Sequence, residues 1–336
     1  MTKSAVKEAP LREGALWPAL REYWHAVAWS EEVTEDKIFS FTLLDEDIVV
    51  CRPGGKLTAF SDLCIHRGTP ISLGTIEGDK VVCCYHGWEY NAEGKCTRIP
   101  SLPSEHPIPK KARLETYQAR DRYGLVWVCM SDTPRAPIPE CPLFEDPDYQ
   151  GVFRNRWIWK ASAARSTENF FDQGHFAFVH DGVLGSRDEP EVGDTTIERD
   201  GEALNFWVDV PATKSHAVPW VRNYRVFRPF TIYQKKEVPH GGIESYMNIC
   251  TPNSADRTTR FMMIVRNFNP EEGEAKSIPI QAENLSNLVT EQDRVIVERQ
   301  RPEELPLDLS EELHVKGPDS IAIAYRRFMK ELGVEC

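Results

Sequence analysis

Cys64-Ile65-His66-Arg67-Gly68 and, further on, Cys83-Cys84-Tyr85-His86-Gly87-Trp88 together form C-x-H-x16-C-x2-H, and this spacing decides the fold of the first half of the chain. Each arm offers one thiolate and one imidazole. A [2Fe–2S] cluster with two unlike irons needs that division, because two thiolates hold one iron while two imidazoles replace cysteines on the other, which raises the potential. Zinc draws on the same residue types, but its pairs usually group Cys with Cys and His with His. Gly68 and Gly87 fit tight loops at hairpin tips, where a missing Cβ lets backbone N–H groups approach the sulfurs.

The set Cys64, His66, Cys83 and His86 is thus the ligand set of a Rieske-type centre, built to take up and pass on single electrons. Around it the chain reads as strands. Residues 38–44 and 47–51 alternate, Pro53-Gly54-Gly55 supplies a turn, and residues 57–60 complete a hairpin into the first arm. After the second arm, residues 123–128 read as a buried strand closing a small β-domain, and a Pro-rich segment over 133–147 reads as a linker.

A second constellation lies about a hundred residues on, in Glu168-Asn169-Phe170-Phe171-Asp172-Gln173-Gly174-His175-Phe176-Ala177-Phe178-Val179-His180. If residues 165–176 form a helix, Asp172 and His175 at i,i+3 share a face, and the carboxylate can accept a hydrogen bond from the ring nitrogen that faces away from a metal. His180 would drift off that face, so the helix must end or bulge near Phe178 for both rings to reach one ion. Two imidazoles and one further carboxylate make the facial triad of a non-heme Fe(II) oxygen-activating site. A histidine among phenylalanines is otherwise a hydrogen-bonded core side chain.

Composition bounds the rest. The chain has 336 residues, enough for two domains with a large core. Nine scattered cysteines, of which the cluster uses two, are reduced-thiol usage and not a disulfide framework. The first eight residues lack the apolar core of a signal peptide, and no run of about eighteen apolar residues occurs. A cytoplasmic protein without a membrane span is expected. The net charge of −12 leaves no basic stripe for nucleic acid.

The two motifs, C-x-H-x16-C-x2-H-G-W and E-N-x2-D-x2-H-x4-H, resemble the oxygenase component of the Rieske non-heme iron oxygenases over nearly the whole chain. The layout is most similar to single-subunit monooxygenases of the caffeine N-demethylase and dicamba O-demethylase type. Cys84 departs from the family pattern, which has proline there, and puts a second thiol beside a ligand.

The resemblance implies an α+β chain: an all-β Rieske domain over residues 1–150, and over 151–336 a catalytic domain with an antiparallel helix-grip sheet wrapped over a long helix, the iron between them. It implies mononuclear Fe(II) held by His175, His180 and an aspartate on a C-terminal helix, for which Asp293 is the choice and Glu291 and Asp308 compete. Thr290, Val297 and Gln300 share the Asp293 face and, with Phe171, are candidates for a substrate pocket. Asn169 is a candidate support for the ligands. The aromatic cluster of Trp220, Tyr224, Phe227, Phe230 and Tyr233 can be pocket or core.

Function follows as an expectation of the resemblance. A flavin reductase or ferredoxin draws on NAD(P)H and feeds the cluster, O2 is the co-substrate, and a small aromatic or heteroaromatic compound is hydroxylated or demethylated, as in aromatic catabolism. Alternatives are arene cis-dihydroxylation and, in another class, a Rieske electron carrier without oxygenase activity. The family implies a homo-oligomer, a head-to-tail trimer, in which Asp172 bridges His175 to His86 of an adjacent subunit.

Overall fold

The computed structural model describes residues 12–210, 220–237, 242–268 and 278–333. Contacts group the chain into two compact units that do not divide at residue 150: one comprises residues 20–140 with Thr251–Ser254, and the other takes residues up to 19, Cys141–Cys250 and the chain from Ala255 onward.

The first unit is all β. Its strands are β1 (His25–Trp29), β2 (Phe39–Leu43), β3 (Glu46–Cys51), β4 (Thr58–Ser61), β5 (Thr75–Glu77), β6 (Lys80–Val82), β7 (Glu89–Asn91), β8 (Cys96–Arg98), β9 (Thr116–Arg122) and β10 (Leu125–Cys129). They form a six-stranded sheet in the order β1-β10-β9-β4-β3-β2 and a four-stranded antiparallel sheet β5-β6-β7-β8. The apolar runs His25–Trp29 and Leu125–Cys129 are buried throughout and pair with each other, so neither of their faces meets water. Cys64 and Cys83 sit in the same core cluster as Phe60, Ile71, Val81 and Tyr90. The thiols are therefore anchored to the apolar interior, while the imidazoles lie toward its surface.

The second unit carries a seven-stranded antiparallel sheet, β11-β17-β16-β15-β14-β13-β12. Its strands are β11 (Gln150–Trp159), β12 (Thr195–Asp200), β13 (Ala203–Val210), β14 (Trp220–Phe227), β15 (Thr231–Glu237), β16 (Ile243–Ser254) and β17 (Arg257–Arg266). Residues 195–210 form a hairpin, because Gly201 at φ 56 turns the chain between Asp200 and Ala203. Among the described residues four α-helices have distinct places: α1 (Trp17–Leu20), one turn long; α2 (Ala163–Phe171); α3 (Phe176–Val179); and α4 (Ile278–Val297). A fifth, α5 (Ser320–Lys330), buries Ile321, Tyr325, Phe328 and Met329.

One buried carboxylate fixes where α2 begins. Ser162 caps the helix by accepting from Arg165 N, and Glu13 Oε1 and Oε2 accept from Ala163 N at 3.1 Å and Ala164 N at 2.9 Å. The first-turn donors of the helix, which have no partner within it, are thereby satisfied. Burial, only partly offset by these hydrogen bonds, pushes the Glu13 carboxyl up to about 7.

A folded-state value above the unfolded one means that the native protein binds more protons across that window, so stability falls as pH rises from about 4.5 to about 7. Glu13→Gln cannot titrate. The stability difference between wild type and this variant is expected to favour wild type most near pH 5 and to shift toward the variant near pH 8, by roughly 1.4 kcal/mol per unit of separation between the two values at most. Urea unfolding at the two pH values checks the sign.

Candidate metal centres

The two cluster arms fold alike. Gly68 N donates to Cys64 O at 2.9 Å and Gly87 N to Cys83 O at 3.0 Å; Cys64 N donates to Thr69 O at 2.8 Å and Cys83 N to Trp88 O at 2.9 Å. Both glycines have φ of 68, a left-handed conformation that strains any residue with a Cβ. Two copies of one turn thus present each cysteine and the histidine two or three positions after it.

The rings converge. His66 and His86 have centroids 4.4 Å apart, and His66 stacks on Trp88 at 4.5 Å. The Cys64 thiol lies 3.2 Å from Tyr90 Oη, while burial and then the neighbouring Cys64 push the Cys83 thiol up. His66 Nδ1 is buried with no hydrogen-bond partner. Two facing buried thiols and a buried imidazole nitrogen without a partner fit a cluster that binds thiolates on one iron and imidazole nitrogens on the other. His86→Cys is expected to retain the cluster and lower its potential by on the order of hundreds of millivolts, the scale separating Rieske from plant-type centres. Protein-film voltammetry reads this, and an unchanged potential removes His86 from the ligand set.

The second site departs from expectation locally. The helix carrying Asn169 ends at Phe171, and Asp172 leaves it at φ −65, ψ 123. What joins Asp172 to His175 is a turn: Asp172 Oδ1 accepts from Gly174 N at 2.9 Å and Oδ2 lies 3.0 Å from His175 Nδ1. The Asp-Gln-Gly sequence favours that turn over continued helix, since aspartate competes for nearby backbone donors. The one-turn helix α3 then runs from His175 at its start to His180 at its end, bringing the ring centroids to 5.1 Å.

Asp293, near the end of α4, completes the group. Among the described residues, His175, His180 and Asp293 offer ligand atoms all within 4.8 Å of one another. Asp293 Oδ1 lies 3.3 Å from His175 Nε2 and 3.0 Å from His180 Nε2, yet neither nitrogen is aligned as a hydrogen bond, and both are buried without a partner. The tautomers explain why. His175 Nδ1 faces Asp172 and His180 Nδ1 lies 2.8 Å from Gln292 Oε1, so each ring donates from Nδ1 and turns a lone pair toward Asp293.

Lone pairs facing a carboxylate repel unless a proton or a cation lies between them. Burial opposes the His175 imidazolium, but the Asp172 and Asp293 carboxylates together outweigh it and hold the ring at about 9. Burial likewise raises Asp293, but the neighbouring His175 and His180 rings and the charge of Arg260 outweigh it and hold that carboxyl well below the usual range. The site is thus built for positive charge at its centre. A divalent cation displaces those protons and suits two imidazoles with one carboxylate.

Asn169 supports the group, its Nδ2 donating to Asp293 Oδ1 at 3.3 Å. Glu291 is exposed and paired with Arg294, and Asp308 accepts from Ser310 N, so neither stands in this group. A cavity of about 220 Å³ opens beside Asp172, His175 and Asp293 and is lined by Val297 and Gln300, two of the expected pocket residues. Thr290 is buried away from this cavity.

Phe171 corrects the expectation: it is fully buried and packs edge-on against Phe206 and Tyr325, which makes it core. Tyr224 and Phe230 are core as well, and the side chain of Trp220 lies outside the described residues. Gln292 was not singled out from the sequence. Its position beside Asp293 on a helix was the available signal, since adjacent residues can reach the two sides of one ligand group.

Comparison with known proteins finds relatives along nearly the whole chain. The description Rieske [2Fe-2S] domain matches residues 23–118, and Vanillate O-demethylase oxygenase C-terminal domain matches residues 159–335. Methylxanthine N1-demethylase NdmA of Pseudomonas putida is 30% identical over 93% of this chain and 89% of its own length, and methylxanthine N3-demethylase NdmB of the same organism 28% over 94% and 90%. The solved structure of NdmA with caffeine matches at a TM-score of 0.84 and 29% identity, covering 95% of this chain and 93% of that one. Dicamba monooxygenase bound to dicamba matches at 0.76 and 20% identity, a likeness of fold.

The Rieske domain carries a [2Fe–2S] cluster, and the family uses mononuclear iron and O2 with electrons from a reductase. Among the described residues no helix is long and apolar enough to cross a membrane. The chain belongs to the Rieske non-heme iron oxygenases, in the branch whose catalytic half is the vanillate O-demethylase oxygenase C-terminal domain.

Proposed function

We propose that the protein is the terminal oxygenase of a multicomponent system that oxidatively removes a methyl group from a small N- or O-methylated aromatic or heteroaromatic compound, with iron held by His175, His180 and Asp293. The observation that carries this reading is the pair of buried imidazole nitrogens turned toward one carboxylate, in a chain matched along its length by proteins named as demethylases. When bound, the cluster and the iron supply single electrons and the activation of dioxygen.

The chain's own residues do the positioning. Asp172 and Gln292 fix the tautomers of the two histidines, and Asn169 steadies Asp293. His180 is fully buried and Asp293 nearly so, which keeps water from the centre. Hydroxylation of a methyl carbon gives a hemiaminal or hemiacetal that loses formaldehyde. The second oxygen atom of O2 leaves as water, and two electrons drawn from NAD(P)H through a flavin reductase or ferredoxin balance the reaction.

A head-to-tail trimer belongs to the same reading. Asp172 is bound to His175 yet its side chain is 41% exposed, and His86 is exposed at the tip of its arm. Apolar Leu63, Ile65 and Tyr85 stand exposed around that tip, and Leu313 stands exposed beside the Asp172 cavity. Such surfaces suit burial between copies, with Asp172 meeting His86 of an adjacent subunit. Among the described residues no disulfide joins the cysteines, which suits a reducing compartment such as the cytoplasm.

The test is a panel of N-methyl, O-methyl and unmethylated aromatic compounds with a surrogate reductase. Formaldehyde released in step with substrate-dependent oxygen uptake is expected. Uptake that yields diols without formaldehyde overturns demethylation, and a protein unable to hold mononuclear iron overturns the oxygenase reading altogether.

A further inference from the structure

Arg260 on β17 is the unexplained charge of the catalytic unit. It is 2% exposed, and among the described residues no carboxylate lies within ion-pair distance of it. Three of its sides are occupied. Nε donates to Asn248 Oδ1 at 2.8 Å, the guanidinium carbon lies 4.4 Å from the centroid of the Trp159 ring, and Phe170 stands at 5.6 Å. Nη1 is buried and has no partner. A buried guanidinium without a counter-ion is costly, and an unmet N–H adds to the cost, so such a group in a native protein asks for a ligand.

Its location says which one. Arg260 pairs with Trp157 in the β11–β17 ladder and Trp159 pairs with Thr258, so the two tryptophans and Arg260 share one sheet face. That face meets α4: Asn155 donates to Asn287 at 3.0 Å, and Trp159 packs with Val297, one turn beyond Asp293. Phe170 is the neighbour of Asn169, which donates to Asp293. Trp157 and Phe170 are only partly buried, leaving aromatic surface next to the guanidinium. Once the cation sits at its centre, Asp293 is committed to it and cannot serve Arg260.

We infer that Arg260 is the specificity-determining residue of the substrate site, its free Nη1 N–H binding an anionic oxygen group, a carboxylate or sulfonate, on the aromatic substrate. This rests on the demethylase reading above. The Trp159 face and Asn248 hold the guanidinium in a fixed orientation, so little freedom is lost when an anion binds. The substrate anion becomes the missing counter-ion.

The test uses the iron-loaded protein without reductant, titrated calorimetrically with 4-methoxybenzoate, 4-methoxybenzenesulfonate and the neutral methyl 4-methoxybenzoate. An anion is expected to bind roughly 10- to 100-fold more tightly than the ester, as for a charge-assisted hydrogen bond, and the tighter of the two anions identifies the group. Arg260→Met is expected to abolish the preference, and Arg260→Lys to keep part of it. Equal binding of acid and ester, an undiminished preference in Arg260→Met, or no anion binding at millimolar concentration overturns the inference.

Should Arg260→Met fail to fold, as judged by its cluster spectrum, the wild-type comparison and Arg260→Lys still decide. Formaldehyde release separates the two readings. A wild type that demethylates neutral compounds but binds no anion refutes the inference alone, while Arg260-dependent anion binding without any demethylation refutes the proposed function alone.

Discussion

Asp293→Ala is expected to give a folded protein whose iron content falls by one per chain, whose visible cluster spectrum is unchanged and whose turnover is undetectable. The reason is geometric. Among the described residues Asp293 is the one carboxylate within 3.3 Å of both candidate ligand nitrogens, and it comes from a helix more than a hundred residues beyond the histidines. Residues that merely orient a ligand cost about 10- to 100-fold in metal affinity when removed. Loss of the only anionic ligand must exceed that, since two neutral imidazoles are left to hold a dication in a buried site. Iron analysis together with the cluster spectrum checks it, and mononuclear iron retained at wild-type level removes Asp293 from the ligand set. Removing the carboxylate also takes a favourable partner from His175, Arg260 and Asn169, so some stability is lost, and the unchanged cluster spectrum is the check that the variant has folded.

How far the sequence discloses this molecule depends on how local each feature is. Both cluster arms are legible because each ligand pair and its turn glycine fall within five or six residues, and the turn is closed by hydrogen bonds inside the arm. The two histidines of the candidate iron site are legible for the same reason. The helix around them is not, because Asp172 has two outlets, helix or turn, and Gly174 decides between them. Asp293 needed the family resemblance, since nothing in its own segment distinguishes it from Glu291 until the fold buries one and exposes the other. Phe171 illustrates the opposite error. An aromatic residue beside a metal motif suggests a pocket, but its neighbours Phe206 and Tyr325 come from distant strands and helices. Glu13 and Arg260 are illegible in the sequence for the same cause, as the partners that give them meaning lie 150 residues away or across three strands.

Asp172→Asn is expected to keep both metals and the oligomer while turnover falls by on the order of a hundredfold, the upper range for residues that orient metal ligands. Asparagine preserves size and one acceptor, so the turn through Gly174 N can still close. What it removes is the charge. Asp172 now faces His175 Nδ1 at 3.0 Å with one oxygen, and its side chain is exposed enough for an exposed imidazole of another subunit to approach it. A carboxylate there can hold two imidazole N–H donors at once, which a neutral amide with a single acceptor oxygen cannot do while it also serves Gly174. In the proposed trimer, loss of the contact to His86 of an adjacent subunit lengthens the path between the centres without touching either one. Single-turnover mixing of pre-reduced, iron-replete enzyme with substrate and O2 separates this from a purely orienting role: a slowed reoxidation of the cluster is expected, whereas reoxidation as fast as in wild type would mean that Asp172 serves only to fix the tautomer of His175.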